Sequence, residues 1–289
     1  MAGAKTCMVY IAIVMSNREF VIPTELEEWS DWEERHGRLR REGSGERVGR
    51  RTSSISYFSM TKTTEKIIVA LDVASKKEAL LLVEQLRDQI SFFKIGLQLY
   101  TAAGPDVVRE IAATGAKVFL DLKLHDIPHT VAHAVESASE LGVQMLTIHL
   151  SGGSEMIRAA VAARKREMSI LGVTVLTSST QQTLDEIGIE EQLDRHVSRL
   201  GNLGVAAGID GLVASPFEAR FLRSELGDKI KIVVPGVRPS WADPGDQKRF
   251  MTPREAVEAG ADYLVIGRPV TAHKNPREAV TKILSELES

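Results

Sequence analysis

From Lys66 onward, short β-branched or apolar runs alternate with longer stretches whose apolar residues recur at helical spacing. Eight runs read as strands: Ile67 to Asp72, Phe92 to Gly96, Val118 to Leu122, Met145 to His149, Ile170 to Leu176, Gly208 to Val213, Ile230 to Val234 and Tyr263 to Ile266. Between them, Lys76 to Asp88, Ala103 to Thr114, Thr130 to Leu141 and Pro253 to Ala259 read as amphipathic helices. Eight strand–helix units predict an α/β fold, a (β/α)8 TIM barrel, whose usual size is about 250 residues. A doubly wound open sheet is the alternative. Against it, the turn after the first strand, Asp72-Val73-Ala74-Ser75, lacks the G-x-G-x-x-G that a dinucleotide needs.

Residues 1–60 do not share this pattern. Glu25 to Glu34 is acidic with two tryptophans, and Arg35 to Arg51 carries seven arginines against two glutamates, interspersed with Gly and Ser. Little of this can build a core, so residues 1–60 read as a disordered or misassigned extension, with Met60 a natural beginning, and residues 61–289 as the barrel domain. The sharper alternative is a targeting or interaction tail that uses the arginines.

Composition narrows the partners. A net charge of -3 argues against a broad nucleic-acid surface, which needs a surplus of Lys and Arg, and favours small molecules. The single cysteine, Cys7, has no partner for an internal disulfide, which points to a reducing cytoplasm. The apolar stretch Cys7 to Met15 is nine residues long, short of the roughly 20 of a membrane span, and no A-x-A cleavage site follows, so neither an anchor nor a secretion signal is expected.

In such barrels chemistry sits at the carboxyl ends of the strands. Those ends are unusually charged: Asp72 on the first, Lys94 on the second, Asp121 and Lys123 on the third with Asp126 just beyond, His149 on the fourth, and Thr177, Ser178 and Ser179 after the fifth. A lysine in an apolar strand is costly to bury alone, and Asp72 and Asp121 on the flanking strands are its expected partners. A snorkelling Lys94 or a purely structural Asp121–Lys123 pair would explain each residue singly. Converging charges of alternating sign favour a site. His125, His129 and His133, spaced by four, invite a metal reading, but Pro128 suits a first helical turn, making His129 and His133 exposed helix residues. Strand parity points His125 away from Lys123, and His149 reads as a packed or hydrogen-bonded strand end.

The last two strands each lead into a glycine followed by an arginine, in Val234-Pro235-Gly236-Val237-Arg238-Pro239 and Ile266-Gly267-Arg268-Pro269. Loops after the seventh and eighth strands commonly cradle phosphate through backbone amides and a helix N-terminus, and arginine supplies a forked donor. A phosphorylated ligand is expected.

At this point the residues resemble a known family. Asp121-Leu122-Lys123-Leu124-His125-Asp126-Ile127-Pro128-His129-Thr130 is similar to the active-site signature of the orotidine 5'-phosphate decarboxylases in their bacterial form. So, in order, are Ile68-Val69-Ala70-Leu71-Asp72, Lys94-Ile95-Gly96, Thr174-Val175-Leu176-Thr177-Ser178, the two glycine–arginine loops and Gly245-Asp246-Gln247-Lys248-Arg249. The resemblance runs from about Thr64 to Glu286 and leaves the first sixty residues without a counterpart. His129, where many bacterial members carry Asn, is a small departure off the charged array.

The resemblance implies conversion of orotidine 5'-phosphate to UMP, the last step of pyrimidine nucleotide synthesis, with no cofactor and no metal. Lys94, Asp121, Lys123 and Asp126 would form the charged array, with Lys123 the proton donor. Asp72 and Lys94 would bind ribose hydroxyls, and Thr177 and Ser178 would meet the pyrimidine. Gln247, Arg238, Gly267 and Arg268 would hold the phosphate, with closure of the loop around Pro239 to Arg249. Asp126 and Thr130 would enter a partner's site, making a homodimer. The rivals are a magnesium-dependent sugar-phosphate decarboxylase or aldolase sharing the Asp-x-Lys-x-x-Asp core, and a non-catalytic phosphate-binding barrel.

Overall fold

Residue parity along the strands sorts side chains to two destinations. In the computed structural model of this chain, which describes residues 12–15, 18–21, 63–165, 168–242 and 250–288, eight parallel strands close into a barrel. They are β1 (Ile67–Ala70), β2 (Phe92–Gly96), β3 (Lys117–Leu124), β4 (Met145–His149), β5 (Ser169–Val173), β6 (Gly211–Val213), β7 (Lys231–Pro235) and β8 (Tyr263–Ile266). β8 pairs back onto β1 through Leu264–Ile67, Val265–Ile68 and Ile266–Val69, which closes the ring. One parity set, including Ile68, Ala70, Phe92, Phe119, Met145, Leu171, Val233 and Val265, fills the interior. The other, including Ile67, Val69, Phe93, Ile95, Val118 and Leu120, packs outward under the helices. With both faces buried, the strands read as near-continuous apolar runs.

The helices are α1 (Lys76–Leu86), α2 (Leu97–Ala103), α3 (Asp106–Ala113), α4 (Pro128–Glu140), α5 (Gly153–Ala163), α6 (Gln181–Glu186), α7 (Leu193–Ala206), α8 (Pro216–Leu226), α9 (Pro253–Glu258), α10 (Arg268–Thr271) and α11 (Pro276–Glu288). The expected (β/α)8 barrel is therefore found, with local corrections. The helix read over Ala103 to Thr114 starts later, at Asp106: Ala103 ends a separate helix, α2, which Gly104 closes at φ 66° through its N–H to Tyr100 O, and Pro105 caps the next. The sixth strand begins at Gly211 rather than Gly208, whose φ of 94° belongs to the turn after α7. The first and fifth strands stop at Ala70 and Val173, so Asp72 and Thr177 stand on the loops just past them.

Of residues 1–60, two short strands are described, Ala12–Met15 and Arg18–Val21, paired antiparallel from Ala12–Val21 to Met15–Arg18. The rest of the extension, and Gln247 with the other residues of 243–249, lie outside the described residues. Among the described residues no helix is long and apolar enough to cross a membrane.

Candidate active site

Parity also places the charges. Phe92 faces the barrel interior, so Lys94 two residues on does too; Phe119 faces inward, and so does Asp121. Both end up at the floor of a cavity of about 450 Å³ at the carboxyl end of the barrel. Lys94 is only 7% exposed. Its Nζ lies 3.1 Å from Asp72 Oδ1 and 3.6 Å from Asp121 Oδ2. Lys123 Nζ takes the other Asp121 oxygen, Oδ1, at 2.7 Å. The result is an alternating line, Asp72–Lys94–Asp121–Lys123, drawn from β2, β3 and the loop just past β1. Removing either carboxylate would leave a buried ammonium short of a partner, which typically costs several kcal/mol.

Burial alone would raise the Asp121 carboxyl. The charges of Lys94 and Lys123, with hydrogen bonds from Lys123 and Thr147, outweigh it and hold the group below the usual carboxylate range. Asp121 is thus a fixed anion between two cations.

Lys123 does not reach Asp121 by a regular pleat. Leu120 pairs with Leu146 and Leu124 with Ile148, so β3 uses four residues where β4 uses two. Inside this irregularity Lys123 takes φ 52°, the one positive φ outside glycine among the described residues. A left-handed lysine costs about 1 kcal/mol and is the kind of local strain found at functional sites. The expectation that parity points His125 away from Lys123 does not stand, because residues two apart share a face in a regular strand, and here the pleat is broken as well. His125 is exposed at the loop, its ring 5.6 Å from that of His149. His149 ends β4 half-buried, its imidazole held below the usual histidine range by burial and by the nearby His125 and Lys123 charges.

The sequence did not single out three contributors. Thr147, completely buried on β4, donates its hydroxyl to Asp121 Oδ1 at 3.0 Å and accepts the Lys123 backbone N–H at 2.9 Å. Its signal was a polar residue at an inward position of an apolar strand, two after Met145. Gln98, in the first turn of α2, lines the cavity and carried no such signal. Gly96 ends β2 where a Cβ would come within 2.9 Å of Lys94 Nζ and 3.2 Å of Asp72 Oδ1. A side chain there would push the Lys94 ammonium away from its place beside Asp72.

Asp72, Thr177, Arg238, Gly267 and Arg268 line the same cavity as Lys94, Asp121 and Lys123. Arg238 is buried, 5% exposed, and donates to the Val237 carbonyl at 3.0 Å, so it is no solvated turn residue. At Gly267 a Cβ would meet only Ala70 and Asp72 at 3.6 Å, ordinary contact. Crowding does not demand glycine there, but the backbone, at φ −104° and ψ −105°, lies outside the regions that residues with side chains ordinarily occupy. Ser178 is exposed and outside the cavity lining.

Asp126 and Thr130 are not brought to this cavity. Both are exposed, and the Asp126 carboxylate accepts the Ile127 N–H at 2.6 Å. Pro128 opens α4 as expected, with His129 and His133 exposed on it, their Nε2 atoms 3.1 Å apart and Glu136 on the second ring. Among the described residues no group of three or more His, Cys, Asp or Glu side chains is gathered to hold a metal.

The sequence and the barrel are similar to those of known proteins. A family model described as "Orotidine 5'-phosphate decarboxylase / HUMPS family" matches residues 65–283. The protein named orotidine 5'-phosphate decarboxylase from Geobacter sp. (strain M21) is 48% identical over 230 residues, 77% of this chain and 96% of the relative. Its namesake from Syntrophotalea carbinolica is 45% identical over 236 residues, 79% and 97% of the two chains. A crystal structure of orotidine 5'-phosphate decarboxylase from Lactobacillus acidophilus superposes with a TM-score of 0.69 at 33% identity, covering 77% of this chain and 99% of that one.

Proposed function

The chain belongs to the orotidine 5'-phosphate decarboxylase / HUMPS family, and from that premise we propose that it converts orotidine 5'-phosphate to UMP and carbon dioxide in the cytoplasm, without a cofactor. One observation carries this reading: the Asp72–Lys94–Asp121–Lys123 line lies on the floor of a nucleotide-sized cavity that Arg238, Gly267 and Arg268 also line.

Breaking the bond between ring C6 and the carboxylate leaves an electron pair in the plane of the ring, out of reach of the ring carbonyls. A fixed cation must stabilise it. The Lys123 ammonium, held at 2.7 Å by Asp121, supplies that charge and then a proton to C6, forming the C–H bond of UMP and leaving a neutral amine that solvent reprotonates. Asp121, anionic beside the departing carboxylate, repels it and loses that repulsion as neutral carbon dioxide leaves. Asp72 and Lys94 hold ribose hydroxyls, and Thr177 with Ser178 meets the pyrimidine. Arg238, Arg268, the Gly267 backbone and Gln247 hold the phosphate, far from the breaking bond, so their binding energy can offset the repulsion.

Asp126 and Thr130 complete a partner's site in a homodimer. Supporting this, both are exposed outside their own cavity, next to Ile127, an apolar side chain left 65% exposed.

The test is loss of orotidine 5'-phosphate absorbance with EDTA-treated protein. Sustained turnover is expected. Absence of turnover, or turnover of a keto-sugar phosphate that EDTA abolishes, overturns the reading in favour of a magnesium-dependent relative; tight UMP binding without turnover favours a binding protein.

A further inference from the structure

We propose that Thr147 is a positioning residue for the decarboxylation: its hydroxyl locks the left-handed Lys123 and the Asp121 carboxylate into one geometry. The inference rests on the decarboxylase reading above for its consequence, though not for its structural content.

Three residues form a closed circuit. The Lys123 amide donates to Thr147 Oγ1 at 2.9 Å. That hydroxyl donates to Asp121 Oδ1 at 3.0 Å. The same oxygen accepts Lys123 Nζ at 2.7 Å. Backbone and side chain of one lysine are thus tied together through a carboxylate and a hydroxyl, neither belonging to the lysine itself. The circuit sits where the β3–β4 ladder is interrupted, between the Leu120–Leu146 and Leu124–Ile148 pairs. Here a side-chain hydroxyl on β4 takes up the amide of the displaced strand. Lys123 is the residue whose φ is positive, so the hydroxyl meets the chain at its most strained point.

Thr147 has zero exposure and is not part of the cavity wall. It therefore acts through Asp121 and Lys123 and not on substrate. A β-branched threonine in a strand has few rotamers, so both hydrogen bonds are available without further ordering. Valine keeps the shape and deletes both bonds; serine keeps the hydroxyl and loses a methyl.

The experiment compares wild type with Thr147→Val, Thr147→Ala and Thr147→Ser in the full chain, by steady-state kinetics on orotidine 5'-phosphate and by hydrogen exchange at the Lys123 amide. Thr147→Val is expected to lower kcat by about 100-fold, the scale of a small misplacement of reacting groups, with KM little changed. Thr147→Ser should recover most of the loss. Lys123 amide exchange should quicken about tenfold in the valine and alanine variants and stay slow in serine. Should Thr147→Val not fold, Thr147→Ala against Thr147→Ser makes the same comparison. Wild-type kcat in Thr147→Val, or equal losses in valine and serine variants with unaltered Lys123 exchange, overturns the proposal. If wild type itself fails to turn over, the decarboxylase reading falls, and the exchange comparison still decides whether Thr147 holds the loop of β3.

Discussion

Lys94 Nζ stands 3.6 Å from Asp121 Oδ2, on the side of the carboxylate opposite the oxygen that Lys123 occupies. Asp121 is therefore shared, and losing Lys123 does not leave it unpaired. Lys123→Ala should fold normally while losing turnover by at least about 10³-fold, the range expected for a general acid that also stabilises charge. Circular dichroism and single-turnover kinetics check the two halves; undiminished turnover would remove Lys123 from the chemistry.

Gly96 and Gly267 make contrasting predictions. At Gly96 an alanine Cβ would press on the Lys94 ammonium while it is held by Asp72, so Gly96→Ala should cost about tenfold or more in kcat/KM. At Gly267 a side chain has room but the backbone, at φ −104° and ψ −105°, suits glycine, so Gly267→Ala should lower the melting temperature as well as weaken UMP binding by calorimetry. Wild-type kcat/KM in Gly96→Ala, or a wild-type melting temperature in Gly267→Ala, would contradict the argument.

Acid should act on the fold through Asp121. Its folded-state carboxyl lies below the normal range, whereas in the unfolded chain it titrates near about 3.9. A depressed carboxyl contributes stability that is complete above the unfolded value and is lost as pH falls through the folded one. The difference in urea midpoint between wild type and Asp121→Asn should therefore be constant above about pH 4 and shrink below it. A difference that does not depend on pH would show that Asp121 is not the anion described.

Subunit mixing tests the shared site. Lys123→Ala and Asp126→Ala homodimers should each be inactive, yet exchange between them should give heterodimers with one intact site, about one quarter of wild-type activity after full reassortment. No recovery after demonstrated exchange would place Asp126 in its own chain's chemistry or in none.

The barrel and most of its charged layer were legible because both follow from parity. Apolar runs that alternate destinations carry Lys94 and Asp121 inward with Phe92 and Phe119 as their guides. What parity misses is any departure from the pleat. The break in β3 is set by how many residues lie between pairs on two strands, a relation no single segment contains, and with it went the role of Thr147. Gly104-Pro105 was written plainly in the chain, but the helical spacing on both sides obscured it.

The apolar side chains filling the barrel beneath Lys94 and Asp121 also act as an electrical floor. Counter-ions can approach the charged line only through the mouth, where Asp72 is half exposed, while Asp121 and Lys94 are shielded from below by hydrocarbon. Salt therefore divides the cavity in two: it screens the exposed Arg268 end and leaves the interior line almost untouched. Ionic strength should therefore change how often the cavity is filled more than the electrostatic setting at its charged line.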